Sequence, residues 1–190
     1  MSIQQYVRGT FDDFNFKIGR FKDYPGYGMT YSEPMQGVEV GFGHKLKSIL
    51  RYGKYAPTTS IESSTADSST NALYSVDLYP SLVDKTFHSI ELDYPLSRVI
   101  NIKGLYQTKP DTSSDPTIGS GTKFYEFGFD SRLSKNLKIT TATTKSDADT
   151  DNKGYGVMLQ YGAGFPPIRG NYALYTGYVK MPANACIVSG

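Results

Sequence analysis

Apolar and polar side chains alternate at every second position in one segment after another along this chain of 190 residues. Between Asn152 and Gly162, for example, Tyr155, Val157, Leu159 and Tyr161 alternate with glycines, Met158 and Gln160. No segment shows helical periodicity over about ten residues or more. A period of two is typical of β-strands that expose two different faces. The sequence therefore predicts an all-β protein built as an antiparallel up-and-down meander of about nine or ten strands.

The composition excludes several classes of protein. Tyrosine (16) and glycine (19) are frequent, tryptophan is absent and mean hydropathy is −0.40. The chain lacks the apolar run of about 18 residues that a transmembrane helix needs. Its net charge of +2 is scattered and forms no basic stripe, so no nucleic-acid partner is expected. Either a soluble sandwich or a membrane β-barrel is compatible with this composition.

Aromatic residues at the ends of the apolar positions favour the membrane barrel. Tyrosine suits the bilayer interface because its ring is apolar and its hydroxyl is polar. The six-residue spacing from Tyr155 to Tyr161 corresponds to a rise of about 20 Å, comparable with the apolar band of about 25 Å around an outer-membrane barrel. The aromatic residues predicted to face lipid are Tyr94, Tyr106, Tyr125, Phe127, Phe129, Tyr155 and Tyr161.

Short and long connections are expected to alternate, as they do in outer-membrane barrels. The predicted short turns are Tyr94–Ser97, Ser131–Asn136 and Gly162–Gly170, and the predicted long loops are Ala56–Asn71, Thr108–Thr122 and Lys145–Lys153. A spanning strand at Ala72–Leu78 would place two short turns in succession. We therefore assign Ala72–Leu78 to an extended external loop or hairpin.

Two interpretations of Phe21–Gln36 remain open. This stretch is either an inward-folded loop, or a short strand Tyr27–Tyr31 followed by a turn at Glu33–Pro34.

Several segments together resemble a known family. Phe16–Phe21 contains a Gly-Arg step and is followed by Gly28–Tyr31 and Gly37–Val40. Phe124–Asp130 with Leu133–Leu137 resembles a strand, a turn and a second strand. So does Gly154–Gly162 with Gly170–Tyr178. The family that they resemble is the bacterial outer-membrane porins, in particular the β-barrel region of porins that carry an S-layer-homology domain.

The resemblance implies a non-enzymatic channel for passive diffusion of ions and small hydrophilic solutes. It also implies location in the bacterial outer membrane, contact with the lipid bilayer, association into homotrimers, no cofactor, and a loop after the Gly-Arg strand that narrows the pore. The chain departs from the family: no S-layer-homology domain or signal peptide precedes the barrel-like part, and Ala185–Gly190 lacks a terminal aromatic residue. The strand number is also below the roughly sixteen that the family implies. We expect residues 1–190 to be a single porin-like barrel segment, truncated at one or both ends.

Charged side chains at the polar positions are candidates for a pore lining. Charges of both signs along a lumen bias the passage of ions. The alternative is the solvated face of a secreted or surface-exposed β-sandwich that binds a ligand through its loops. The predicted pore-lining residues are Lys17, Arg20, Glu39, Lys45, Lys47, Arg51, Glu91, Asp93, Lys103, Glu126, Asp130 and Lys138. Arg20 fits the narrowest part of a pore and the membrane interface equally well.

Other candidate sites match known functional motifs only in part. Asp147, Asp149 and Asp151 have the one-three-five spacing of a calcium loop, but Asn152 and Met158 stand where that loop needs glycine and glutamate. An acidic external loop explains them without a specific metal site. His44 and His88 are the only histidines, and both are predicted to be structural or interfacial. The single Cys186 is predicted to be a buried or incidental thiol.

Overall fold

A computed structural model describes residues 4–22, 24–30, 34–55, 86–108, 121–162 and 172–186. These residues form ten strands and one short 3₁₀ helix, Ala183–Ala185. The strands are β1 Gln5–Phe11, β2 Phe14–Lys22, β3 Pro34–Phe42, β4 Lys47–Tyr55, β5 Thr86–Pro95, β6 Ile100–Thr108, β7 Lys123–Arg132, β8 Leu137–Ser146, β9 Lys153–Gly162 and β10 Ala173–Lys180.

All ten strands lie in one sheet in the order of the sequence, and each pairs with its neighbours in antiparallel orientation. This confirms the predicted all-β meander. Among the described residues β1 and β10 do not pair with each other, so the sheet is open rather than closed into a barrel. Because the number of strands is even, the two edge strands run in opposite directions. Opposite directions are what an antiparallel pairing between β1 and β10 would need.

The connections alternate in length over most of the sheet. The links at residues 12–13, 43–46, 96–99 and 133–136 are short, whereas those at 23–33, 56–85 and 109–122 are long. The prediction is wrong for the last pair, because the link at 147–152 is shorter than the link at 163–172. Both the 147–152 link and the 163–172 link are rich in turn-forming residues, so the sequence did not show where the flanking strands end and which link is the longer. The predicted hairpin Ala72–Leu78 lies outside the described residues.

Several strands bury polar residues and expose apolar ones, the reverse of a water-soluble protein, although Phe87, Leu105 and Phe124 are buried on the same side as the polar residues. Along β5 the polar residues Ser89 and Glu91 are buried, whereas Ile90 and Leu92 are exposed. Along β7 the glutamate at 126 is buried and Phe127 is 58% exposed. We call the side that bears Glu91 and Glu126 the polar face, and the side that bears Leu92 and Phe127 the aromatic face.

Residues 24–30, here called the docked segment, lie against the polar face and explain much of its burial. This segment is not a strand, since β2 ends at Lys22 and β3 begins at Pro34. Of the two interpretations of Phe21–Gln36, the inward-folded loop is therefore the one that agrees with the fold. Its outer parts, Phe21–Lys22 and Pro34–Gln36, belong to the strands.

The 3₁₀ helix after β10 packs against β8 and β9. Ser146 Oγ donates a hydrogen bond to the carbonyl of Asn184, and Asn184 Nδ2 donates to the carbonyl of Thr150 at 3.0 Å. Cys186 is a buried thiol, as predicted. The described residues include no helix that is long and apolar enough to cross a membrane.

Candidate functional site: the polar face and its docked segment

Strand pairing aligns charged residues from successive strands into rows on the polar face. One row runs through Lys17, Glu39, Arg51, Ser89 and Gln107 on β2 to β6. Directly opposite residues of an antiparallel pair have their Cβ atoms about 5 Å apart. Neighbours in such a row can therefore form ion pairs across the strands.

A continuous chain of ion pairs crosses the polar face. Glu39 accepts from Lys17 Nζ at 2.8 Å and from Arg51 Nε at 2.9 Å. Arg51 also contacts Glu91 through its terminal nitrogen at 2.9 Å. Glu91 lies 3.4 Å from Lys103 Nζ, and the same ammonium lies 3.7 Å from Asp93. Because each charge has a partner of opposite sign, burial of Arg51 and Glu91 is compensated.

A separate ion pair lies farther along the sheet. Lys138 Nζ is 3.2 Å from Asp130 Oδ2, and both side chains are partly exposed.

The docked segment is held by two carboxylates of the polar face. Glu91 accepts a hydrogen bond from the amide of Gly26 at 3.1 Å. Glu126 accepts from the amide of Tyr27, from the amide of Thr30 at 3.2 Å and from the Thr30 hydroxyl at 3.4 Å. A hydrogen bond to a charged acceptor is stronger than a neutral one. These contacts therefore fix the segment to the wall by its backbone.

The side chain of Tyr27 contacts the wall through both its hydroxyl and its ring. Its hydroxyl donates to Asp130 Oδ1 at 3.2 Å, and Lys103 Nζ lies 5.6 Å from the centre of its ring. Burial, followed by the nearby Asp130 carboxylate, raises the pKa of the Tyr27 phenol well above its ordinary range. Tyr27 is therefore a neutral hydrogen-bond donor at physiological pH.

Most of the predicted pore-lining residues share the polar face. By register and strand alternation these are Lys17, Glu39, Lys47, Arg51, Glu91, Asp93, Lys103, Glu126, Asp130 and Lys138. Their shared face is a structural fact, and that the face lines a pore stays a prediction.

Two members of the predicted pore lining lie elsewhere. Arg20 stands between Gly19 and Phe21, which belong to polar-face rows, so alternation puts Arg20 on the aromatic face. Lys45 lies in the turn between β3 and β4, where strand alternation does not apply. Its ammonium is 5.0 Å from the centre of the Tyr94 ring.

All seven aromatic residues predicted to face lipid share the opposite face. By register these are Tyr94, Tyr106, Tyr125, Phe127, Phe129, Tyr155 and Tyr161. Tyr106 and Tyr125 are directly opposite each other near the long-loop ends of their strands, with ring centres 5.4 Å apart. Within the described ranges all strands belong to one sheet, so no second sheet covers this face. Contact with lipid stays a prediction.

Some buried polar residues of the polar face were not predicted from the sequence. Ser89, Gln107 and Thr144 are almost completely buried, and Thr30 of the docked segment is within 3.4 Å of Gln107 Oε1. Their positions in the alternation placed them on the polar side. However, only the charged residues were selected as site residues, because an uncharged polar side chain at an alternating position is common on any solvated sheet.

The Asp147–Asp151 loop does not gather into a metal site. Among the described residues no three histidine, cysteine, aspartate or glutamate side chains lie close enough together to hold a metal ion. Asp147 Oδ1 instead accepts a hydrogen bond from the amide of Lys123 at 2.9 Å, which fastens the loop to β7.

The two histidines contact neighbouring strands or turns. His44 pairs with Asp13 across two adjacent turns, and His88 Nδ1 lies 3.3 Å from the Thr108 hydroxyl.

Comparison with protein-family models gives no match for this chain. Comparison with curated proteins likewise gives no significant match.

Proposed function

We propose that this chain forms part of the wall of an outer-membrane β-barrel channel through which ions and small hydrophilic solutes diffuse passively. In this proposal the polar face lines a water-filled lumen and the aromatic face contacts lipid. The docked segment narrows the passage. No covalent chemistry and no cofactor are involved.

The inverted burial of the sheet is the observation that carries the proposal. Tyr52, Ile90, Leu92 and Phe127 are exposed while Arg51, Glu91 and Glu126 are buried. Leaving a large apolar side chain in water rather than burying it costs about 1.5–3 kcal/mol. Soluble proteins seldom expose contiguous apolar patches larger than a few hundred Å². Hydrocarbon around the aromatic face removes this cost.

The length of the strands also suits a bilayer. Strands β2 to β9 have 9 or 10 residues each, and a transmembrane strand needs about 9–11.

The ion-pair chain gives the proposed lumen a wall with little uncompensated charge at its centre. Along the chain, the three cations Lys17, Arg51 and Lys103 balance the three carboxylates Glu39, Glu91 and Asp93. Selectivity in this proposal therefore comes from the width left by the docked segment and from the more exposed charges, such as Lys47 and Lys138. Arg51 is a poor target for a selectivity test, because reversing its charge would bring three carboxylates together.

The first test of the proposal is dependence on a lipid-like environment. The chain, purified in detergent, is passed through size-exclusion chromatography with and without detergent, and is mixed with phospholipid vesicles before flotation. We expect it to be monodisperse only with detergent and to float with the vesicles. A chain that stays monodisperse without detergent and does not float would contradict the proposal and favour the soluble sandwich.

The second test concerns conduction through the polar face. We expect Tyr27→Ala to increase the conductance of channels in planar bilayers, because this ring projects from the docked segment onto the wall. Tyr24→Ala is the matched control, since Tyr24 is an exposed residue of the same segment. Equal conductance of Tyr27→Ala and the unmodified chain would refute a lumen on this face.

A further inference from the structure

An open cleft of about 250 Å³ lies where the polar face meets the short turns of β5–β6 and β7–β8. It is lined by Ser97 and Arg98 from the first turn, Asn101 from β6, Asp130 and Arg132 from β7, and Lys138 from β8. The cleft has room for several waters or a small ion.

The cleft carries an excess of positive charge. Arg132 and Lys138 are directly opposite each other on β7 and β8, and like charges in this position destabilise a sheet. The one carboxylate of the cleft, Asp130, is already engaged: Oδ2 contacts Lys138 at 3.2 Å and Oδ1 accepts from Tyr27. Within the described parts of the chain, no ion pair is found for Arg98 or Arg132.

Hydrogen bonds hold the turn that carries Arg98 beside Arg132. Ser97 Oγ accepts from the amides of Val99 and Ile100 at 3.2 and 3.1 Å. The amide of Arg132 donates to the carbonyl of Val99 at 2.8 Å. These bonds fix the backbone next to both arginines, so less conformational entropy is lost when a ligand orders their side chains.

We propose that this cleft binds a small oxyanion, a phosphate or a carboxylate, between the guanidinium groups of Arg98 and Arg132 and the ammonium of Lys138. Guanidinium groups form paired hydrogen bonds to phosphate and carboxylate oxygens. A bound anion also relieves the repulsion between Arg132 and Lys138. The site does not depend on the proposed channel. If the channel exists, the cleft lies at its short-turn mouth and concentrates anions there.

The test measures anion binding to the full chain in detergent micelles at low ionic strength. Inorganic phosphate, acetate and chloride are titrated separately, with isothermal calorimetry as the readout. The variant is Arg98→Gln with Arg132→Gln. The matched control is Lys135→Gln, which removes a positive charge from the exposed β7–β8 turn without altering the cleft lining. Far-UV circular dichroism verifies that all three proteins are folded.

We expect phosphate or acetate to bind more tightly than chloride, and the double variant to raise the dissociation constant by about tenfold or more. Lys135→Gln should leave it within about twofold. Tighter binding of phosphate than of acetate identifies a phosphate site, and the reverse order identifies a carboxylate site. The proposal is overturned if all three anions bind alike, if the double variant binds as the unmodified chain does, or if Lys135→Gln weakens binding as much as the double variant.

Discussion

The guanidinium of Arg51 lies between the carboxylates of Glu39 and Glu91 and is almost completely shielded from solvent. The sequence could predict which face Arg51 occupies, but not which carboxylates it pairs with. Alternation put Arg51 on the polar side. The pairing of β3 with β4 and of β4 with β5, which sets its partners, is a property of the register and is not encoded locally.

Arg51→Met should destabilise the folded chain strongly, because it leaves two buried carboxylates without their shared cation. Breaking a buried ion pair in this way costs about 3–5 kcal/mol. The measurement is urea unfolding in phospholipid vesicles. Lys138→Met is the control, since its side chain is 45% exposed and a pair of this kind is worth about 1 kcal/mol or less. Similar losses for both variants would show that the Arg51 ion pairs do not hold the wall together.

The phenol of Tyr27 should ionise, and Tyr27 should leave the wall, at a higher pH than that at which the exposed tyrosines ionise. Docking raises the pKa of this phenol from its ordinary value of 10.0, so the associated stability is present below that pH and is lost as the pH rises beyond it. Ultraviolet titrations of the unmodified chain and of Tyr27→Phe should differ only at the most alkaline end. A difference that develops near the ordinary value would show that the phenol is not buried against Asp130.

The docked segment depends on Glu126, which accepts three of its hydrogen bonds. Glu126→Gln replaces one carboxylate oxygen by an amide nitrogen that cannot accept, so we expect the segment to detach more often. Limited proteolysis with chymotrypsin should then cut after Tyr27 several-fold faster than in the unmodified chain. Asp149→Asn serves as the control because Asp149 is exposed in the β8–β9 link. Unchanged cleavage of Glu126→Gln would contradict this anchoring role.

The sequence predicted the individual strands and their two faces better than it predicted contacts between distant segments. The alternation of Tyr125, Phe127 and Phe129 with Phe124, Glu126 and Gly128 correctly separated the two faces of β7. The docked segment was harder to predict, because its contacts join residues 65 to 103 positions apart. For Arg20 the sequence left two interpretations open, the narrowest part of a pore and the membrane interface, because strand pairing decides its face, and that pairing puts it on the aromatic face.

The strands that the structure describes form one layer with two unlike sides. Alternation throughout the chain was sufficient to predict the antiparallel meander, and the strand order confirmed it. Whether such a sheet closes depends on how its edge strands pair, and neither β1 nor β10 contains a local signal for its outer partner. In the proposed channel, water lies on the side with the ion pairs and the docked segment, and hydrocarbon lies on the side with the exposed aromatic side chains.

Spin-label accessibility in reconstituted bilayers tests this two-solvent arrangement most directly. Cys186 is first replaced by alanine, and single cysteines are then introduced along β7 and β8 at Phe127, Phe129, Thr140 and Thr141 for labelling. We predict that labels at Phe127, Phe129 and Thr141 are relaxed mainly by oxygen, which dissolves in lipid, and that the label at Thr140 is relaxed mainly by a water-soluble nickel complex. Equal access of the nickel complex to both faces would contradict the account.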